Sequence, residues 1–367
     1  MLRRPRFIVL IPVLAAVVSL ATIPAVSVAA SAGVTVQRIF GADRYATSAA
    51  VARAAFATSA TPIRKAVIAN GTDFPGAAVG ANLLSGYYGP GPVLLTRANA
   101  VPQPIVDVIK ALAIPQFFVV GGTTVVDMSV EHRLQTLGDV YATFRGSDRY
   151  TTGAAVARTA FDGEANVPAV VDGMRTAFLV SGVAATDGVA VAPLAYALQG
   201  STVGTKLLLL LTRPDVLSTA THDALLSITG GNRPIQQVIV IGGAGAVSEA
   251  VLSQVRALGL SARRIQGGDR QATAVAVAEF AVETLGWSPT HIVLARGDDP
   301  ADAASAAPYA GEKRAPLLFT RSPDQLGTAT ADFLRAHAGT IQRIDVLGGP
   351  GAVTDTVIAQ ARAAVGG

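Results

Sequence analysis

The feature that most constrains this chain is that one unit is written three times. Three segments share an opening: RIFGADRYATSAAVARAAF at 38–56, TFRGSDRYTTGAAVARTAF at 143–161 and RIQGGDRQATAVAVAEFAV at 264–282. Each leads to an apolar run ending in Gly: AVIANG at 66–71, AFLVSG at 177–182 and HIVLARG at 291–297. A small-residue stretch follows, containing DGVAVAPLA at 187–195 and DAASAAPYA at 302–310 in the later two copies. The next block reads VLLTR at 93–97, LLLTR at 209–213 and LLFTR at 317–321. The last reads FVVGGTTVVD at 118–127, VIVIGGAGAVS at 238–248 and IDVLGGPGAVT at 344–354. Self-similarity of this kind is read before any local propensity.

The opening Asp and the Gly-Gly pair lie 78 residues apart in the first copy, 94 in the second and 79 in the third. The surplus of the second copy sits in EANVPAVVDGMR, QGSTVGTK and TGGNRP, which read as loops, where a preserved core tolerates insertion. Each copy is predicted to run strand, helix, four times over. The strands are short, Val/Ile/Leu-rich and apolar, so they are expected to be buried on both faces of a mainly parallel sheet. The helices are Ala-rich. The fold class is therefore α/β, in three tandem modules of just over 100 residues. Their boundaries are set at 36–138, 139–260 and 261–367.

Residues 1–32 read as a secretory signal. Arg3, Arg4 and Arg6 precede an apolar stretch from Phe7 to Leu20, then Pro24 and the small-residue exit Val28-Ala29-Ala30-Ser31-Ala32. An uncleaved membrane anchor is the rival reading, disfavoured by Pro12 and Pro24. Without those three Arg, the 29 basic residues become 26 against 25 acidic. A net charge of +1 carries no global signal for a polyanionic partner, so only local clusters can. No later stretch would span a membrane, so the mature chain is expected to be secreted and to sit outside the membrane.

Several chemistries drop out. With no Cys and four His, none at a recurring position, thiolate and imidazole chemistry have little material, and neither a catalytic nor a metal set is assigned. Gly-x-Ser-x-Gly, Ser-x-x-Lys, His-Glu-x-x-His and a Walker lysine are all missing, and no cofactor is predicted. Aromatic residues make up 5% of the chain and do not interleave with basic ones, which argues against nucleic acid. Arg296-Gly297-Asp298 reads as a chance tripeptide.

What recurs is Asp, Arg, Thr and Gly. Asp43, Asp148 and Asp269 stand where a helix N-cap belongs, with Gly41, Gly146 and Gly267 in the preceding turn. Thr47, Thr152 and Thr273 follow each Asp by four residues. A cap does not require the adjacent Arg44, Arg149 and Arg270, which suit a repeated ion pair across units or a ligand contact. Arg97, Arg213 and Arg321 close their strands at the C-terminal edge, where open α/β sheets bind ligands, and a guanidinium there can fork a carboxylate or phosphate. Asp187 and Asp302 read as caps of the second helix, while the first copy has Gly76 there and Asp73 three residues earlier. The Gly-Gly-x-Gly blocks read more readily as tight strand-to-helix turns than as phosphate cradles. After them, Asp127, Ser248 and Thr354 are N-cap types.

Four blocks in one order in three copies resemble the cell wall-binding type 2 repeat family, over essentially all of 36–367. The resemblance implies Toprim-like α/β modules around a pseudo-threefold axis, on surface proteins of Gram-positive-type envelopes. It also implies non-covalent anchoring to an anionic secondary wall polymer, with effector activity usually in a separate domain. On that basis the chain is expected to be an exported, non-catalytic binder. Arg44, Arg149, Arg270, Arg97, Arg213 and Arg321 would face the polymer, supported by Asp43, Asp148, Asp269, Asp187 and Asp302. A peptidoglycan hydrolase (amidase) or its modifier, and a surface adhesin or array subunit, are the alternatives. Gln271 for Tyr45 and Tyr150, Glu279 for Arg53 and Arg158, and Gly76 for Asp imply that the three module junctions are unequal.

Overall fold

The structure, a computed structural model, describes residues 33–161, 166–197, 205–229 and 234–366. Residues 1–32, read above as a secretory signal, and parts of the second-copy insertions lie outside the described residues. The compact unit Val34–Gly367 holds every element named here.

In the first repeat the order is β1 (Thr35–Ile39), α1 (Arg44–Phe56), β2 (Lys65–Asn70), α2 (Phe74–Gly80), β3 (Val93–Thr96), α3 (Gln103–Ala111), β4 (Gln116–Val120) and α4 (Met128–Gln135). The second runs β5 (Asp139–Phe144), α5 (Arg149–Phe161), β6 (Val167–Pro168), β7 (Val170–Val171), β8 (Met174–Ser181), α6 (Ala185–Tyr196), β9 (Thr205–Lys206), β10 (Leu208–Thr212), α7 (Thr219–Thr229), β11 (Gln237–Ile241) and α8 (Glu249–Ala257). The third runs β12 (Ser261–Ile265), α9 (Arg270–Glu283), β13 (His291–Arg296), α10 (Ala306–Glu312), β14 (Leu317–Thr320), α11 (Thr328–Ala336), β15 (Arg343–Leu347) and α12 (Asp355–Ala364). The alternation matches the pattern read from the repeats.

Three sheets result, ordered β3-β2-β4-β5, β10-β8-β11-β12 and β1-β15-β13-β14, parallel along each path. The strand that opens each repeat pairs outside it. β5 lies on β4 of the first repeat and β12 on β11 of the second. β1 lies on β15 of the third, from Thr35 opposite Arg343 to Ile39 opposite Leu347. The helix after each opening strand then packs over the sheet of its own repeat, α1 on β3, α5 on β10 and α9 on β14. Every strand–helix opening therefore stitches two sheets together, and β1 closes the series within one chain. Without it, β15 would present an unpaired edge.

Burial follows from this placement. β2, β3 and β4, with their counterparts in the other sheets, are almost wholly buried, as apolar runs between helix layers should be. The expectation of two buried faces does not hold for the opening strands. β1, β5 and β12 are edges with an open face, and TVQRI, DVYATF and SARRI carry polar side chains there.

Small residues in the second helices have a packing role. α6 packs against both α2 and α10, and a Cβ at Gly311 of α10 would stand 2.6 Å from the Tyr196 ring of α6. The described parts of the second-copy insertions are not plain loops. β6 pairs with β9 and β7 with β8. Next to them Lys206, fully buried, donates from Nζ to the carbonyls of Asn82 (2.9 Å) and Leu84, tying the second repeat to the first.

The candidate site at the seams between repeats

The helix starts are built alike. Asp43 accepts from the backbone N–H groups of Tyr45 and Ala46, Asp148 from that of Thr151 and Asp269 from that of Ala272, at 2.8–3.0 Å. These are N-cap bonds. The hydroxyls of Thr47, Thr152 and Thr273 accept from the N–H groups of Gly41, Gly146 and Gly267 at 3.0–3.1 Å, folding the turn back onto the helix. No side chain fits at those glycines: a Cβ at Gly41 would lie 2.3 Å from the Ala46 Cβ.

The Arg beside each cap bridges two repeats. Arg44, Arg149 and Arg270 donate to the carbonyls of Gly71, Gly182 and Gly297, the glycines that end the strand of their own repeat, at 2.9, 2.5 and 3.2 Å. Each also faces acid from another repeat. Arg149 lies 3.6 Å from Asp73, and Arg44 lies 4.0 Å from Asp299 with Asp302 nearby. Arg270 lies near Asp187. Both roles open at the sequence level, repeated ion pair and ligand contact, thus start from a guanidinium that already has a carboxylate across the seam.

Asp187 and Asp302 do not cap. Asp187 sits in the first turn of α6, whose N-cap is Ala184, and Asp302 in a short 3-10 turn (Pro300–Asp302) ahead of α10. Their carboxylates lie under the Gly-Gly turns, 2.3 and 2.6 Å from where a Cβ at Gly242 or Gly348 would be. Burial pushes the Asp187 carboxyl up to about 6 against the opposing pull of Arg270. Burial likewise raises Asp73 and Asp302, opposed mainly by Arg149 and by a hydrogen bond with Thr47 respectively. The first repeat lacks an Asp at Gly76, and the Asp73 carboxylate lies 2.8 Å from where a Cβ there would stand.

The Gly-Gly blocks are turns. Gly121, Gly242 and Gly348 have φ of 136°, 106° and 108°, and their N–H groups donate to Phe144, Ile265 and Ile39 of the next opening strand at 2.9–3.1 Å. Of the N-cap residues after them, Asp127 accepts from Ser129 N–H, whereas the Ser248 and Thr354 hydroxyls are buried without a partner.

Two seams enclose clefts. Between the first and second repeats a cleft of about 240 Å³ is walled by Asp73, Gly122, Thr124, Ser147, Asp148 and Arg149. Between the third and first, one of about 270 Å³ is walled by Asp43, Arg44, Arg296, Asp299, Asp302 and Gly351. Arg296 forks both oxygens of Asp298 at 2.6 and 2.9 Å, so the Arg-Gly-Asp tripeptide closes on itself.

Arg97, Arg213 and Arg321 are exposed at the C-terminal strand edges, one on each sheet. Arg97 lies over the Tyr45 ring at 5.2 Å and Arg213 over the Tyr150 ring at 5.1 Å. Arg213 also lies 3.6 Å from Asp148. In the third repeat Gln271 stands in place of that ring and leaves its own buried amide nitrogen unpaired.

Other seam residues went unread in the sequence. Arg38 of β1 donates to Gly348 O (3.1 Å), Val353 O (2.6 Å) and Asp355 (2.9 Å). Arg264 of β12 makes the same clamp on Gly242 O (2.6 Å) and Glu249 (2.8 Å). Arg145 pairs with Glu131 at the remaining seam. Their signal was an Arg in each opening strand or just after it, with an acid in the first turn of the helix behind. Among the described residues no group of three or more His, Asp or Glu is placed to hold a metal, and no helix is long and apolar enough to cross a membrane.

A mixed α/β protein of tandem repeats, with mostly parallel sheets and recurrent polar side chains gathered at the repeat boundaries, is the class these features define. Residues 38–131, 144–252 and 264–358 match cell wall binding domain 2 (CWB2), and the chain belongs to that family. It is 31% identical over 212 residues to the N-acetylmuramoyl-L-alanine amidase LytC of Bacillus subtilis (strain 168), which covers 58% of this chain and 37% of LytC. It is similar in fold to Cwp6 from Clostridium difficile (TM-score 0.71, 18% identity, 90% of this chain and 48% of that one). Cwp8 from the same organism is similar too (TM-score 0.69, 19% identity, 90% and 51%). The chain thus spans about half of each Cwp structure and less of LytC. Family membership associates it with the cell wall.

Proposed function

We propose that this chain is an exported, non-catalytic binder that holds non-covalently to an anionic secondary polymer of a Gram-positive-type cell wall. In this reading residues 1–32 are a cleaved leader, and 36–138, 139–260 and 261–367 are Toprim-like modules around a pseudo-threefold axis. The same strand handover and Arg–Gly carbonyl bond at three seams support that arrangement.

The observation that carries the binding proposal is the exposed Arg at the C-terminal edge of each sheet, Arg97, Arg213 and Arg321. These are the primary anion contacts. Arg44, Arg149 and Arg270, partly neutralised across the seams, would join them, with Asp43, Asp148, Asp269, Asp187 and Asp302 setting their positions. Three weak sites on one body facing a repeating polymer raise avidity without a tight single site. Binding should weaken with salt.

The test is retention on purified walls before and after mild acid extraction of secondary polymers, across a salt series. Retention should vanish with the polymer, fall with salt, and drop at least tenfold in Arg97→Gln/Arg213→Gln/Arg321→Gln. Retention indifferent to extraction, or release of muropeptides by the chain alone, would overturn the proposal.

A further inference from the structure

Four positions of the third repeat depart together from the other two. His291 and Arg343 stand opposite each other in register, where the first repeat has Lys65 and Gln116 and the second Thr176 and Gln237. Two residues further, Asp345 replaces Phe118 and Ile239 in the middle of a core strand. Tyr309 stands where the small-residue block has Leu83 and Leu194.

The four residues form one network. Asp345, 0% exposed, accepts from His291 Nε2 at 2.6 Å, from Arg343 Nε at 2.9 Å and from the Tyr309 hydroxyl. The two sister repeats fill the places of Arg343, Asp345 and Tyr309 with apolar or neutral side chains and fold, Lys65 at the His291 place being their one charged residue. A buried charged group adds desolvation cost that an apolar core avoids. Core filling alone therefore does not account for the set.

The network borders a cavity of about 320 Å³, walled by Gln37 and Ile39 of β1 with His291, Tyr309, Lys313 and Arg343. That volume lies in the range of small-molecule sites. Lys313 Nζ is 5.1 Å from the centre of the Tyr309 ring. Arg343 spends Nε on Asp345 and Nη2 on Gln37 (2.5 Å), and neither bond uses Nη1. One carboxylate, already held by three donors, faces two permanent cations and a histidine, so the lining carries surplus positive charge.

The geometry points to a binding site at the sheet of the third repeat, completed by β1 of the first, for a small organic anion, a single sugar-sized ligand bearing one carboxylate or phosphate. Arg343 and Lys313 take the anionic group, and the Tyr309 ring and Ile39 pack against the ligand's carbon skeleton. The site does not depend on the wall-binding reading, because none of its residues is among the Arg and Asp residues assigned to the polymer.

The experiment is calorimetric titration of the full-length chain with glucuronate and with glucose 6-phosphate, against glucose, at constant ionic strength. The expected result is saturable binding of at least one anion and none of glucose; which anion binds separates carboxylate from phosphate chemistry. Lys313→Gln, an exposed change, should weaken binding about fivefold or more. The combined variant His291→Thr/Tyr309→Leu/Arg343→Gln/Asp345→Ile gives the third repeat the residues of the second and should abolish it. Lys313→Gln decides alone if that variant does not fold. No saturable anion binding, equal binding of glucose, or unchanged affinity in Lys313→Gln would overturn the site. Wall retention of Lys313→Gln reports on the seams separately.

Discussion

The Asp73 carboxylate occupies the space that a side chain at Gly76 would need, with Oδ2 2.8 Å from where a Cβ would stand. Gly76 is the position of Asp187 and Asp302, and Asp73 stands where the third repeat has Asp299, which faces Arg44 as Asp73 faces Arg149. Gly76→Asp alone would crowd two buried carboxylates and should cost about 2–3 kcal/mol. Adding Asp73→Ala should recover most of that loss. A double-mutant cycle by chemical denaturation measures the coupling, and additive effects would contradict the shared space.

The junction of the third repeat with the first rests on β1 and its clamp. Arg38→Met removes donors to Gly348 O, Val353 O and Asp355 while keeping most of the side-chain length. The expected loss is about 2–3 kcal/mol, read as a lower denaturation midpoint.

The Asp187 carboxyl gives a pH signature. Burial raises it from an ordinary 3.8 to about 6 in the folded chain. Its contribution is therefore fully present below the unfolded value and is lost as pH rises through about 6. Asp187→Asn does not titrate. Its stability relative to the native chain should rise between pH 4.5 and pH 8, by up to about 2 kcal/mol. Denaturation at the two pH values checks this, and an equal difference at both would show that the carboxyl is not perturbed.

Gln271 leaves a buried amide nitrogen unpaired in the place of Tyr45 and Tyr150. Those two rings pack against Gly71 and Gly182 and lie beside Arg97 and Arg213. Gln271→Tyr should remove the unpaired group and give Arg321 a ring, a gain of about 1 kcal/mol seen as a higher melting temperature. A lower one would mean that the wall formed by Gly327 has no room for the ring.

Much of the fold was legible because its signals are local. Strand and helix order, the glycine turns, and the caps at Asp43, Asp148 and Asp269 each depend on neighbours a few residues away. Asp187 and Asp302 misled for the same reason. Their position near a helix start reads as a cap, but their carboxylates turn under Gly242 and Gly348 of a distant turn. The polar alternation of TVQRI and SARRI was likewise a sign of edge strands.

By itself the sequence determined the unit, its copy number, its α/β layering and the recurrence of Arg and Asp. Only the tertiary structure decided which sheet each opening strand joins, that β1 completes the sheet of β15, and that Arg44, Arg149 and Arg270 each meet acid from another repeat. The reason is physical. A strand's partner is whichever buried edge the rest of the chain leaves open, and a carboxylate's role depends on what desolvates it. Both are properties of contacts between residues far apart in sequence, which no local spacing records.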